Sequence, residues 1–295
     1  MAEKPEARRL RDRIEHAQVA PSGAAPASTP TRRLTSRVLQ TPIDVVDWAV
    51  ALGRIEQWAA KRESRYVCAC NVHSIVTAAR DTRFGQALSQ ADMATPDGAP
   101  VAWMMRRLGH PTQQRVNGPD LMTSCCERAA TNGTSVYLLG STPDTLVALR
   151  QQLALQLPAL RIAGTTSPPF RPLSTAEDQA LVTRLNDSGA GIVFVSLGCP
   201  KQEEWMAEHR GRVRAVMIGV GAAFDFHAGA LERAPPWMQH NGLEWLYRLG
   251  SEPCRLWKRY FVTNAIFVVG ATWQLLVRMG WQVPGITRRR RHSKS

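Results

Sequence analysis

From about residue 40 the chain alternates short apolar, β-rich runs with stretches whose apolar positions recur at helical spacing. "YVCACN" leads into a run that predicts a helix from about Val72 to Ala87, and "ADMATPDG" precedes a second helix through "APVAWMMRRLG". "SVYLLG" precedes a third in "STPDTLVALRQQL", where Ser141 or Thr142 can supply the N-cap oxygen and Pro143 suits the first turn. "LRIAGTT" is followed by "STAEDQALVTRLN", with Ser174 and Glu177 at capping-box spacing. "GIVFVSLG" then leads to "CPKQEEWMAEHR", and "AVMIGVG" follows. Alternation at about 25–30 residues per unit predicts parallel strands with right-handed crossovers, hence an α/β fold with a doubly wound, mostly parallel sheet. In such sheets ligands bind beyond the carboxyl ends of the strands, so the loops after them are where chemistry is expected.

Those loops hold few charged candidates. "ATPDG" sets Asp97 just past a strand end, where it is either an Asp-Gly turn or a general base facing the ligand crevice. Asp225, in "AAFDFHAG", is the rival carboxylate, and His227 beside it reads as a turn or packing histidine. "SLGCPKQEEW" places Gly198, Pro200, Lys201 and Gln202 at the opening of a helix, where backbone N–H groups and the helix dipole favour a phosphate; an ordinary strand-helix turn has the same composition. "IGVGAAF" brings Gly219 and Gly221 to another strand end. The sheet is Rossmann-like in its expected winding, but GVG lacks the spacing of a GxGxxG dinucleotide fingerprint, which disfavours a nicotinamide cofactor.

Charge divides the chain into three. The total is +13, yet residues 1–37 hold eight Lys/Arg against four acids, 248–295 hold ten against one, and the remainder balances. A neutral body (38–247) with a flexible basic lead-in (1–37) and a basic, apolar tail (248–295) fits a membrane surface or a polyanion at one end better than a nucleic acid. The six cysteines show no CxxC pair and no zinc-like His spacing, so they read as reduced thiols, and no metal site is expected.

The ordered series "CNVHSIVTAARD", "ADMATPDGAPVAW", "RVNGPDLM", "SLGCPKQEEWM" and "GVGAAFDFHAGALERAPPWMQHNGLEWLYRLGSEPCR" resembles the WecG/TagA/CpsF glycosyltransferase family over about residues 65 to 260. The resemblance implies an inverting, metal-independent transfer from a UDP-sugar donor, with no cofactor, to a polyprenyl-diphosphate-linked saccharide on the cytoplasmic face of the membrane. It makes Asp97 the candidate base and Asn71 and Asn117 substrate-lining residues. Gly198, Lys201, Gln202, Gly219, Gly221 and Asp225 would hold the donor, while Arg248, Arg255, Lys258 and Arg259 would stabilise the departing diphosphate. The family often carries threonine where this chain has Ala69, two places before Asn71. A non-catalytic nucleotide-sugar or polyanion binder of the same fold is the alternative, and homo-oligomerisation is left open.

In the tail, residues 232–249, "ERAPPWMQHNGLEWLYRL", end the globular body under this reading, with Trp237 and Trp245 expected as core anchors and Glu244 paired with Arg248 at i,i+4. Pro253 can start a helix on which Arg255, Lys258 and Arg259 share a face. Residues 260–277 carry no charge over eighteen positions, but both flanks are basic, so a peripheral helix lying in the membrane interface is favoured over a span.

Overall fold

The computed structural model describes residues 33–280. A six-stranded sheet forms from β3 (Arg65–Cys70), β4 (Met93–Pro96), β5 (Ser135–Gly140), β6 (Arg161–Thr166), β7 (Ile192–Ser196) and β8 (Val216–Gly219) in the order β4-β3-β8-β7-β5-β6, with every neighbouring pair parallel. This is the doubly wound, Rossmann-like α/β fold expected. The central strands are buried on both faces, and the pleat sorts their side chains. Ile192 and Phe194 of β7 join one core cluster, Val193 and Val195 the other.

Ala51, Leu52, Ile55 and Ala59 of helix α1 (Trp48–Ala60), with α5 (Gly118–Asn132), α6 (Pro143–Gln156) and α9 (Ala223–His227), contribute to one cluster. The other cluster is built with α2 (Val72–Arg80), α3 (Thr82–Gln90), α4 (Ala99–Arg107), α7 (Thr175–Asp187) and α8 (Lys201–His209). The helix expected from Val72 to Ala87 is thus two helices. Asp81 ends α2 and caps α3, its side chain accepting from Phe84 N at 3.1 Å, and a Cβ at Gly85 would meet Ala78 O at 2.8 Å, so the break lets α3 cross close over α2. Thr142 is the residue that caps α6, and Ser174 with Glu177 forms the expected capping box on α7.

An antiparallel hairpin, β1 (Thr35–Val38) and β2 (Thr41–Asp44), precedes the sheet, and α10 (Pro236–His240), α11 (Glu244–Ser251) and α12 (Pro253–Arg278) follow it. The 26-residue α12 lies against α2, burying Leu256, Thr263, Phe267 and Ala271 along one stripe. Gln274 clasps the hairpin: its Oε1 accepts from Leu39 N at 2.8 Å and its Nε2 donates to Arg37 O at 2.7 Å. The opposite side of the same helix exposes Trp257, Phe261, Val262, Ile266, Val268, Val269, Trp273 and Val277. By length and composition, Leu256–Arg278 is the one helix among the described residues apolar enough to cross a membrane.

Candidate active site

Asp97 follows β4, its N–H donating to Cys70 O at 3.0 Å, which keeps the loop parallel to the end of β3. Its carboxylate is half-buried and held from two sides. Gly118 N, the first residue of α5, donates to Oδ1 at 3.1 Å, and Asn71 Nδ2 reaches Oδ2 at 3.4 Å. Asn71 is itself the N-cap of α2, accepting from Ser74 N at 3.2 Å, so one amide fixes a helix start and faces the carboxylate. Burial pushes the Asp97 carboxyl above its usual range and the Glu244 charge adds to that; Arg115, the Gly118 N–H and Asn71 pull it back without cancelling it.

A ring of charges surrounds this loop. Arg115 donates through Nε to the main-chain carbonyl of Asp97 and through Nη2 to Glu244 Oε2 at 2.7 Å. Glu244 Oε1 lies 4.0 Å from Arg233 Nε, and Arg233 in turn binds Asp120 and reaches Asn117 Oδ1 at 3.4 Å. Asn117 caps α5, accepting from Asp120 N at 3.0 Å, so the ring returns to the helix start that holds Asp97. Burial raises the Asp120 carboxyl, but the Arg233 hydrogen bond and charge and the Asn117 amide outweigh it, and the net position is below the usual carboxylate range.

The loops after β5, β7 and β8 are joined differently, by hydroxyls. Ser141 N donates to Ser196 O at 2.9 Å, Ser196 Oγ to Gly221 O at 2.7 Å, and Ser141 Oγ to Asp225 Oδ1 at 3.4 Å. Gly198 and Gly221 adopt φ of +78° and +55° with open space where a side chain would stand, so their backbone is accessible to a ligand. Gly219 is closed in: a Cβ there would meet Met206 at 2.8 Å and Gln202 at 3.1 Å. The two groups of loops meet at Gly118, where a Cβ would lie 3.1 Å from Val220 O.

The chain matches the family model described as Glycosyl transferase WecG/TagA/CpsF family over residues 36–280. It belongs to that family. The protein is therefore a glycosyltransferase of cell-surface polysaccharide synthesis, and the sequence motifs that suggested the family converge on one end of its sheet.

Asp97, Asn71 and Asn117 come together around the charged ring, whereas Gly198, Gly221 and Asp225 line the hydroxyl-stitched loops. Lys201 is exposed at the start of α8. Gln202 beside it is buried and donates from Nε2 to Glu203 Oε1 at 2.8 Å. His227 is a packing histidine as expected: its Nε2 lies 3.1 Å from Pro119 O, and burial lowers its pKa, leaving it neutral.

Two expectations for the segment after Arg233 are corrected. Glu244 pairs with Arg115 rather than with Arg248, whose guanidinium lies 5.5 Å from the Phe226 ring centroid. A partner held by the loop before α5 outcompetes the i,i+4 neighbour because that pair is three-quarters or more withdrawn from water, the side chains being 22% and 15% exposed. Trp237 is 60% exposed and Trp245, edge-on to Tyr260 at 6.0 Å, is 37% exposed, so neither anchors a core. This segment is held by ion pairs over the loops. Lys258 is exposed, 6.0 Å from the Trp257 ring centroid; the side chains of Arg255 and Arg259 and all of Arg288–Arg291 lie outside the described residues.

Sequence reading missed Arg115, Asp120, Arg233 and Glu244. Arg115 and Asp120 stand inside the quoted "RVNGPDLM" motif, immediately flanking Val116–Pro119, and that proximity to Asn117 was the available signal.

Proposed function

We propose that the protein is an inverting, metal-independent glycosyltransferase that moves a sugar from a UDP-sugar to a polyprenyl-diphosphate-linked saccharide at the cytoplasmic membrane face. The observation that carries this reading is the half-buried Asp97 carboxylate at the end of β4, raised in pKa yet held by two neutral donors rather than by a direct ion pair. Such a group accepts a proton better than a free aspartate. In the step proposed, the acceptor hydroxyl gives its proton to Asp97 as its oxygen bonds the anomeric carbon from the face opposite the leaving group. The bond from that carbon to the β-phosphate oxygen breaks, and the electron pair leaves with UDP.

Arg248, Arg255, Lys258 and Arg259 stabilise the charge that develops on the diphosphate, with Gly198, Lys201, Gly221 and Asp225 on the donor side and Asn71 and Asn117 near the acceptor; Gly219 and Gln202, closed in beneath them, support those loops. The exposed apolar side of α12, flanked by cations, lies along an anionic membrane and brings the lipid-linked acceptor to the crevice. Its other side is docked on α2 and on the hairpin, which favours an interfacial helix over a span.

The test is transfer from labelled UDP-sugars to a synthetic polyprenyl-diphosphate acceptor, with and without EDTA. Transfer that survives chelation supports the reading; abolition restored by Mg²⁺ or Mn²⁺ overturns metal independence, and UDP-sugar binding without transfer to any acceptor makes the protein a non-catalytic binder. Because α12 also completes the core through Phe267 and Ala271, the membrane role is tested on its outer side, with Trp257, Phe261 and Trp273 changed together to Ser. Each large apolar group is worth about 1.5–3 kcal/mol of insertion, so co-sedimentation with anionic liposomes should be lost while the thermal melt is kept. Undiminished sedimentation would place the membrane contact elsewhere.

A further inference from the structure

We infer that Glu244 is a positioning residue for Asp97: it holds the Arg115 guanidinium on the main-chain carbonyl of Asp97 and away from its carboxylate, so that docking of the segment around α11 sets the strength of the base. The inference rests on Asp97 acting as the base.

The geometry is specific. Arg115 is the cation nearest the Asp97 loop, and its donors are divided between the Asp97 carbonyl and Glu244 Oε2. A guanidinium has five donors in a fixed fork, so one committed to a carboxylate on one side and a carbonyl on the other is not free to pivot onto a third acceptor. Removing the Glu244 charge releases that half of the fork within reach of a carboxylate that now has only two neutral donors.

Besides the Arg115 pair, the segment carrying Glu244 is held by Arg233 near Glu244, by Arg248 over the Phe226 ring and by Trp245 edge-on to Tyr260. Among the described residues of α11 none is buried, and the turn before it touches the Asp97 loop where Gly242, at φ +73°, would bring a Cβ within 3.0 Å of the Ala99 side chain. Docking of this segment and the electrostatics of Asp97 are therefore coupled through the Arg115–Glu244 pair, with Gly242 packed close to Ala99 beside it. The charged and titratable groups that face Asp97 are Arg115 from the loop before α5, Glu244 from α11, Arg233 from the loop before α10, and the Cys70 thiol of β3, which burial keeps protonated. Their effects agree in direction with the geometry: Arg115 lowers the Asp97 pKa and Glu244 raises it.

The experiment is the pH profile of kcat/KM for sugar transfer by the full-length protein and by Glu244→Gln, with Asp97→Asn as reference. The acid limb of that profile reports the base in the free enzyme. Glu244→Gln should move the limb down by roughly 0.5–1 pH unit and lower the plateau by about threefold, since a weaker base transfers a proton less readily. Glu244→Asp, which keeps the charge, should restore most of both. Arg233→Gln removes a cation and leaves the Arg115–Glu244 pair in place, so it should move the limb upward; this opposite sign keeps the idea testable if Glu244→Gln does not fold. An unmoved or raised limb in folded Glu244→Gln, or an unmoved limb in Arg233→Gln, overturns the inference. If Asp97→Asn retains the wild-type limb and rate, the base assignment itself has failed, which is a different result.

Discussion

The two halves of the crevice are built from opposite materials. Around β3 and β4 the loops are held by a closed ring of charges, Asp97 to Arg115 to Glu244 to Arg233 to Asn117 and back through Gly118. Around β5, β7 and β8 the contacts run through serine hydroxyls and main-chain carbonyls, and the glycines leave backbone exposed. Charges at fixed distances set the basicity of one carboxylate, whereas neutral donors and open backbone accommodate a ligand without altering its ionisation. The difference divides the labour: proton transfer on the first half, retention of the donor on the second.

The sharpest way to break that division is Asp97→Asn. Asparagine keeps the shape and can still accept from Gly118 N, so folding and UDP binding should be nearly unchanged while turnover falls by about 10²–10⁴. That corresponds to roughly 3–5 kcal/mol at the transition state. Steady-state kinetics beside a UDP titration measures both, and near-normal turnover would remove the proton-transfer role from this half.

A second carboxylate sharpens the comparison from the other side. Glu203, just inside α8, is 1% exposed, and burial raises its pKa to about 7 against an ordinary 4.5, the Gln202 amide opposing only part of the shift. Its Oε2 has no hydrogen-bond partner among the described residues. It is sealed where Asp97 is half-open, so we read it as a buried acid rather than a reacting one. For a carboxyl raised on folding, the sign is a cost. Below pH 4.5 both states are protonated and nothing is lost; between 4.5 and about 7 only the unfolded chain ionises and stability falls; above 7 the full cost of about 3 kcal/mol remains. Glu203→Gln copies the protonated form. Denaturant melts should show it gaining stability relative to wild type by about 3 kcal/mol more at pH 8 than at pH 4.5, and an equal difference at both would mean that Glu203 ionises normally.

How much of this was legible in the sequence follows the range of the interactions. Strand alternation, the caps at Thr142 and Ser174, and the strand-end placement of Asp97 are local, and local pattern carried them. The parallel order of the sheet follows from short crossovers. The charged ring does not: Arg115 and Glu244 are 129 residues apart, and the only sequence rule that applied to Glu244, the i,i+4 pairing with Arg248, pointed to the wrong partner. Trp237 and Trp245 misled for a related reason. Aromatic content usually signals a core, but this segment lies over the loops and is fastened by ions, leaving its large side chains outward. The β1–β2 hairpin, of four-residue strands, was too short to register as alternation, although Gln274 depends on it.

The smallest expected effect belongs to Asp225, the carboxylate that sequence alone could not separate from Asp97. It lies in the first turn of α9, and its Oδ1 accepts from Ser141 Oγ at 3.4 Å, which ties the loop after β8 to the loop after β5 across the donor half. It sits with Ser141 on the hydroxyl-stitched side of the crevice, apart from the Arg115–Glu244 pair that borders Asp97. A carboxylate so placed accepts from ligand hydroxyls in the ground state and the transition state alike, which is binding that raises affinity without raising turnover. Asp225→Asn keeps one acceptor oxygen and loses the charge, a change of about 1.4 kcal/mol, so the KM for the UDP-sugar should rise about tenfold with kcat within a factor of about three. The paired measurement with Asp97→Asn decides between the halves: a KM effect at Asp225 and a kcat effect at Asp97 supports the division, and the reverse pattern transfers the base to the hydroxyl-lined side and leaves the charged ring as scaffold.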